Sequence, residues 1–322
     1  MICMPLLAAA SDRTTDRIRL YQERMLLNDL RATRNHDRHR KWGLDCLKDA
    51  VRKVIPRATR NWLRSPSKST QWLWDSAQFF FGNTESLEIS PNSSVVCHPC
   101  AYKIYRRDQI DDPEQSMEFR SFITYCSDAM LLFDIGAHFG VFSISAAQFG
   151  GRAVAVDPSP VAVQMIGIQA ILNNCVDRVK VFHAAVSDKN GIVEMLSSGV
   201  FSDGYFKVTK HRSKRELTQV QAVTIDQMAL EFGTPTHLKI DVEGHEAAVL
   251  RGGRSTLQRF SPLLFLELHN EMVVSAGENP YVTLNELTQL GYDTFALSGE
   301  AIDADAILAR PIIRIVAKRR SE

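Results

Sequence analysis

Between residues 130 and 317, short apolar runs of strand length alternate with stretches whose apolar positions recur at helical spacing. Strands buried on both faces read as unbroken apolar runs, and the helices that connect them carry one apolar stripe. The alternation therefore predicts an α/β fold with a mostly parallel sheet and helices on both faces. Strands are expected at 130–135, 153–156, 179–182, 238–242, 263–268, 292–297 and 312–317, and helices at 139–149, 161–172, 246–251 and 280–290. The last two of these seven strands, joined by a short link, suggest an antiparallel terminal hairpin. Residues 190–223 break the rhythm with a charged insert containing Gly and Ser, which reads as a hairpin or flap.

Upstream the pattern changes. Ile18, Tyr21, Met25 and Leu30, then Leu44, Leu47, Val51 and Ile55, fall at near-helical spacing and predict two amphipathic helices. Trp62, Trp72, Trp74 and the run Phe79-Phe80-Phe81 make an aromatic segment suited to packing. Apolar residues at 87–89 and 95–97 flank Pro91-Asn92-Ser93 as in a hairpin. Asp112-Pro113 then opens a helix expected to turn Met117, Phe122, Ile123 and Cys126 inward. The expected organisation is an accessory region over 1–125 and a nucleotide-binding domain over 126–322.

The formal net charge of +1 hides an imbalance, since residues 31–68 carry twelve Lys and Arg against three Asp, a local charge of +9. A solvated helical face is the plainest account, with weak association to an anionic membrane surface as the alternative. No base-stacking aromatic pattern supports nucleic acid as a partner. Residues 1–10 are apolar but lack a basic start, which reads against a cleaved leader. No run of 18 apolar residues predicts a transmembrane helix. Six scattered cysteines suit a reducing cytoplasm.

The most informative stretch joins the first core strand to its helix. Gly136 and Gly140 sit where a turn at the carboxyl edge of a strand brings backbone and helix N-terminal amides close to a ligand. A dinucleotide site would show G-x-G-x-x-G, and this turn has only Gly136-x-x-x-Gly140. Asp134, just ahead of it, would repel a pyrophosphate but suits the ammonium and sulfonium of S-adenosylmethionine. Asp157 follows Gly136 by 21 residues and suits ribose hydroxyls in either ligand. A nicotinamide-dependent oxidoreductase and a non-catalytic nucleotide-binding scaffold stand as the alternatives.

The motifs Asp134-Ile-Gly-Ala-His-Phe-Gly140, Asp157-Pro-Ser-Pro160, Ala185-Val-Ser-Asp188, Val223-Thr-Ile-Asp226, Lys239-Ile-Asp-Val-Glu-Gly-His-Glu246 and Glu267-Leu-His269 occur in this order. In that order they resemble the FkbM family of S-adenosylmethionine-dependent methyltransferases. The resemblance implies a class I methyltransferase fold and methyl transfer to a hydroxyl of a sugar, glycan or secondary metabolite. It also implies cofactor contacts from Asp134, Gly136, His138, Gly140, Asp157 and Ala185. The family usually has Asn where His138 stands and Glu-Pro where Asp157-Pro158 stands.

Methyl transfer to oxygen needs the acceptor held in line and its proton removed by a base, or its pKa lowered by a metal. Asp241 ends a core strand, and Glu267 and His269 lie two apart on the next, so both point to one side. These three are the expected catalytic cluster. His269 reads as a general base, as a metal ligand with Asp241 and Glu267, or as a structural histidine. Glu243 and Glu246 suit the start of a helix, and Lys239, within a strand, suits an ion pair with one of the acids. Cys97-His98-Pro99-Cys100 lacks a second C-x-x-C; it reads as part of the acceptor-pocket wall, with Tyr102, Tyr105 and Arg106 as possible substrate contacts.

Overall fold

The computed structural model describes residues 83–197, 206–208 and 217–320. The two helices expected before Pro56 and the Trp- and Phe-rich segment up to Phe81 lie outside the described residues. Strands β1 (Glu85–Ser90) and β2 (Ser93–Cys97) form the expected hairpin, with Leu87 opposite Val95. Helix α1 (Pro99–Arg106) follows, N-capped by His98, and widens into a π-helical turn at Arg107–Asp111. Helix α2 (Pro113–Ile123) starts as the Asp-Pro pair predicts. The Asp112 carboxylate accepts hydrogen bonds from the amides of Glu114 and Gln115, and Pro113 fills the position where a missing N–H costs nothing.

The α/β core then runs β3 (Leu131–Ile135), α3 (Val141–Gln148), β4 (Arg152–Asp157), α4 (Pro160–Leu172) and β5 (Val179–His183). Next come β6 (Ala185–Val186), β7 (Gly191–Ser197), β8 (Phe206–Val208) and β9 (Leu217–Val223), a separate sheet in the order β6-β9-β7-β8. The insert is thus a small sheet, built around the antiparallel β7/β9 pair that the flap reading anticipates. The chain continues with α5 (Ile225–Phe232), β10 (His237–Ile240), α6 (Glu246–Arg251), α7 (Arg254–Phe260), β11 (Leu263–Leu268) and α8 (Asn270–Ser275). It ends with α9 (Tyr281–Gln289), β12 (Tyr292–Ala296), α10 (Ala304–Leu308) and β13 (Ile313–Arg319).

The main sheet has seven strands in the order β12-β13-β11-β10-β3-β4-β5, and β13 alone runs against its neighbours. This is the expected class I methyltransferase-like α/β architecture. The terminal pair is antiparallel, but its link carries α10, and β13 inserts between β11 and β12. Burial explains the insertion: Ile313 to Ala317 are all buried and need a strand on each side, whereas β12 is only half-buried and suits an edge.

β10 and β3 are neighbours, yet the chain proceeds from β3 toward β5 and from β10 toward the opposite edge. Such a switch point leaves a crevice outside the carboxyl ends of the strands. The hairpin and the first two helices pack on one face of the sheet with α3 and α4, sharing a core that includes Leu87, Val95, Tyr105, Phe119 and Phe122. The Phe122 ring meets Phe142 edge-on at 4.9 Å and Phe265 at 5.5 Å. Met117 departs from expectation: it is 52% exposed, because it stands five residues from Phe122 and so on another side of α2. Glu118 occupies the inward position instead. No helix among the described residues is long and apolar enough to cross a membrane.

Candidate active site

The glycine turn leaves β3 at the switch point. Gly136 has a left-handed φ of 78°, and a Cβ there would lie 1.8 Å from the Asp241 carbonyl oxygen. Only glycine lets the ends of β3 and β10 come this close. Gly140 N-caps α3 but has no side chain to accept from its first-turn amides. Asp134 does this from the neighbouring strand: its Oδ2 accepts from the Ser143 amide (3.1 Å) and hydroxyl (2.6 Å). Asp157 closes the turn from the other side, its Oδ2 accepting from the His138 amide and its Oδ1 from the Ser159 amide, each at 2.8 Å. Burial pushes Asp134 up to about 6 and Asp157 up to about 7, against the pull of these hydrogen bonds.

Above the turn lies a cleft with two lobes. The outer lobe, with a cavity volume of about 170 Å³, is lined by Gly136, His138, Asp157, Ala185, Asp241 and Glu267, with Arg107, Asp108 and Gln115 on the far wall. The inner lobe shares Gly136, His138, Asp241 and Glu267 and adds Asp134, Glu118 and Lys239. Every expected site residue except Gly140 and His269 therefore faces the cleft. Gly140 instead packs beneath it, where a Cβ would approach Ile166 at 3.0 Å.

Asp241, Glu267 and His269 come together as expected, each offering a ligand atom within 4.8 Å of the others. Asp241 is the open member, with a third of its side chain exposed, while His269 is buried behind it. The His269 Nδ1 is 3.0 Å from Glu246 Oε1, and its Nε2 points among Glu267 (3.6 Å), Asp241 (3.8 Å) and Glu243 (3.8 Å). Burial opposes a charge on His269, but Glu246, Asp241 and Glu243 outweigh it and raise the imidazole to about 9. A histidine already protonated at neutral pH is a poor general base.

Two residues not singled out in the sequence complete the cluster. Arg314, directly opposite Glu267 in the β11/β13 register, donates through Nη2 (2.5 Å) and Nε (3.2 Å) to both Glu267 oxygens. Glu118 Oε1 lies 3.0 Å from the buried Lys239 Nζ, which is 3.7 Å from Glu267 and 3.9 Å from Asp241. Burial works to raise both cleft acids. In Asp241 Glu267 adds to the rise and the carboxyl sits well above the usual range; in Glu267 the cations Lys239, Arg314 and His269 win and hold it below. Of the two, Asp241 is therefore the one with the greater affinity for a proton. Arg314 was legible as a charge interrupting an apolar strand; nothing in the pattern around Glu118 marks it.

The Cys97 to Cys100 segment is structural. Cys97 is buried and pushed by burial to about 12, and His98 Nδ1 accepts from the Cys100 amide as the helix cap. Tyr105 is buried too, its hydroxyl donating to the Phe139 carbonyl, and it walls the inner lobe. Tyr102 and Arg106 do not line the cleft; Arg107 and Asp108 take that place. His245 also lines the outer lobe, its Nε2 3.0 Å from Ser187 Oγ.

Residues 134–294 match the model of the methyltransferase FkbM domain. Among solved structures, the methyltransferase FkbM from Methylobacillus flagellatus KT is 17% identical with a TM-score of 0.43, over 68% of this chain and 50% of that one. This chain therefore spans about half the length of that protein. An O-methyltransferase from Bacillus cereus in complex with SAH is 13% identical with a TM-score of 0.40, over 69% of this chain and 87% of that one. The precorrin-6y C5,15-methyltransferase from Geobacter metallireducens GS-15 is 12% identical with a TM-score of 0.38, over 65% of this chain and 90% of that one. No curated protein matches the sequence.

Proposed function

The chain belongs to the FkbM methyltransferase family, and from that premise we propose that it uses S-adenosylmethionine to methylate a hydroxyl of a sugar, glycan or secondary metabolite. The charge of the inner lobe carries this reading. Asp108, Glu118, Asp134, Asp241 and Glu267 line it, with Lys239 as the one Lys or Arg among the described residues there, a setting that suits an ammonium and a sulfonium and repels a pyrophosphate. The cradle fits as well, since Gly136 puts no side chain into the cleft and Asp157 lines the lobe where ribose hydroxyls belong. Asp134 caps α3 through Oδ2, and its carboxylate would hold the ammonium.

S-adenosylmethionine, when bound, supplies an electrophilic methyl group on a positively charged sulfur. The chain's part is to orient the acceptor and take its proton. Asp241 suits that role because it faces both lobes, and its raised pKa makes its carboxylate a stronger base. Glu267, held ionised by Arg314 and Lys239, fixes Asp241 from one side, and the His269 imidazolium holds it from beneath. His269 is then a positioning residue, and the general base assignment passes to Asp241. The polar far wall of Arg107, Asp108 and Gln115 suits an acceptor rich in hydroxyls. Among the described residues, the free thiols of Cys97, Cys126 and Cys175 fit the cytoplasmic setting we propose.

A second reading has Asp241, Glu267 and His269 hold a divalent cation that would acidify the acceptor hydroxyl. The convergence of their ligand atoms and the Glu246 carboxylate on His269 Nδ1 favour it. Calorimetry with S-adenosylmethionine and with NAD, followed by release of S-adenosylhomocysteine with and without a chelator, tests both. Binding of S-adenosylmethionine and chelator-resistant turnover are expected. Tight binding of NAD alone would sink the proposal, and turnover lost to the chelator and restored by a divalent ion would favour the second reading.

A further inference from the structure

Glu118 is out of keeping with its surroundings. Ser116, Phe119 and Phe122 share its buried side of α2, and a carboxylate only 2% exposed survives there only with charged partners. Its Oε1 meets Lys239, and its Oε2 is 3.7 Å from Arg314 Nε. One helical turn earlier, Glu114 Oε2 lies 2.8 Å from Arg310 and 3.8 Å from Arg314. Helix α2 therefore lays two carboxylates, four residues apart, over the cations that grip Glu267 and Asp241. Glu118 and Arg314 both fall outside residues 134–294, so the family domain does not complete this network by itself.

We propose that Glu118 is a positioning residue for the methyl transfer, drawing Lys239 toward α2 and sharing Arg314 so that Asp241 stays free to meet the acceptor. The inference rests on the reading that Asp241 faces an acceptor hydroxyl. The distances supply the reason: Lys239 Nζ is 3.0 Å from Glu118 but 3.7 and 3.9 Å from Glu267 and Asp241. Without the Glu118 charge the ammonium closes on the two cleft acids and ties up the one that must receive a proton. Phe119 and Phe122 seat α2 against Phe142, and Phe122 also reaches Phe265, so the docking of a segment that precedes β3 sets the geometry of the site.

The test uses the full chain and three variants, Glu118→Gln, Glu118→Asp and the double variant Glu118→Leu/Lys239→Met. Release of S-adenosylhomocysteine is followed with a deproteinised cell extract as the acceptor pool. Glu118→Gln is expected to slow the maximal rate on the order of 10- to 100-fold, with KM for S-adenosylmethionine changed by less than about twofold. Glu118→Asp keeps the charge and recovers most of the rate. A buried ion pair can be exchanged for apolar residues of similar volume without loss of stability, so the double variant should keep its Tm and, with no ammonium left to close on Asp241, recover most of the rate lost in Glu118→Gln. A purely structural pair predicts rates that follow Tm alone; a double variant that keeps its Tm yet stays as slow as Glu118→Gln, or a Glu118→Gln rate equal to wild type, overturns the proposal. A wild type that neither binds S-adenosylmethionine nor turns it over overturns the parent reading and this one with it, whereas an active wild type with indifferent variants overturns the role of Glu118 alone.

Discussion

On the wall of the cleft formed by β3 and β4, Asp134 and Asp157 are held by amides and one hydroxyl of His138, Ser143 and Ser159, which follow the two strands. On the wall formed by β10 and β11, Asp241 and Glu267 are held by charges drawn from several elements: Lys239 on β10, His269 just after β11, Arg314 on β13 and, behind them, Glu118 on α2. The first wall is a piece of backbone architecture and the second a charge network. Substitutions that alter backbone geometry should therefore act on the first, and substitutions that alter charge on the second.

The largest effect is expected from Gly136→Ala. The added Cβ must displace the Asp241 carbonyl, 1.8 Å away, from a backbone with φ of 78°, which breaks both walls at once. We expect a loss of roughly 3–5 kcal/mol of stability, read by urea denaturation, and no measurable S-adenosylmethionine binding. Near-native stability would show that the two strand ends can part cheaply. Asp241→Asn comes next and should separate the walls. It removes the proposed base without touching the turn, so the transfer rate should fall about 10²- to 10⁴-fold with cofactor affinity kept. Equal losses in both would place Asp241 on the cofactor side instead.

The walls should also respond to pH in different windows. Asp157 is raised from 3.8 to about 7, so the folded state holds its proton more tightly than the unfolded chain, and its contribution is lost as pH rises from about 4 to 7. His269 is raised from 6.5 to about 9; its stabilisation is full below 6.5 and is lost as pH rises through 9. Denaturation midpoints taken between pH 4 and 10 should fall in both windows, and His269→Gln should flatten only the upper one. A variant that flattened the lower window as well would mean that the two walls titrate as one unit.

The same division explains what could be read along the chain. Gly136, Gly140 and Asp157 belong to a strand, turn, helix and second strand contiguous in sequence, and their spacing encodes their geometry. Asp241, Glu267 and His269 could be grouped because strand ends in a parallel sheet converge at one edge. Protonation could not be read: His269 resembled a base until Glu246 and the cleft carboxylates were seen around it. Glu118 was hidden because helical periodicity reports which side of α2 is buried, and a charge on that side looks like an error in phase until Lys239 and Arg314 are found beneath it. The position of β13 between β11 and β12 was likewise set by burial on both edges rather than by chain order.

The smallest effect is expected where the turn departs from the family pattern. His138 has a φ of 50°, a region that Asn adopts more readily than most residues, and its bond to Asp157 comes from the backbone amide. His138→Asn keeps that amide and relieves the conformation, while losing the stacking on Phe139 at 4.3 Å. The two changes oppose each other, so stability should stay within about 0.5 kcal/mol and cofactor affinity should be unchanged. His269→Asn, by contrast, removes a charge from among four carboxylates and should slow transfer measurably. If His138→Asn instead weakens S-adenosylmethionine binding several-fold in calorimetry, the imidazole itself touches the ligand, and the β3/β4 wall works through side chains as well as backbone.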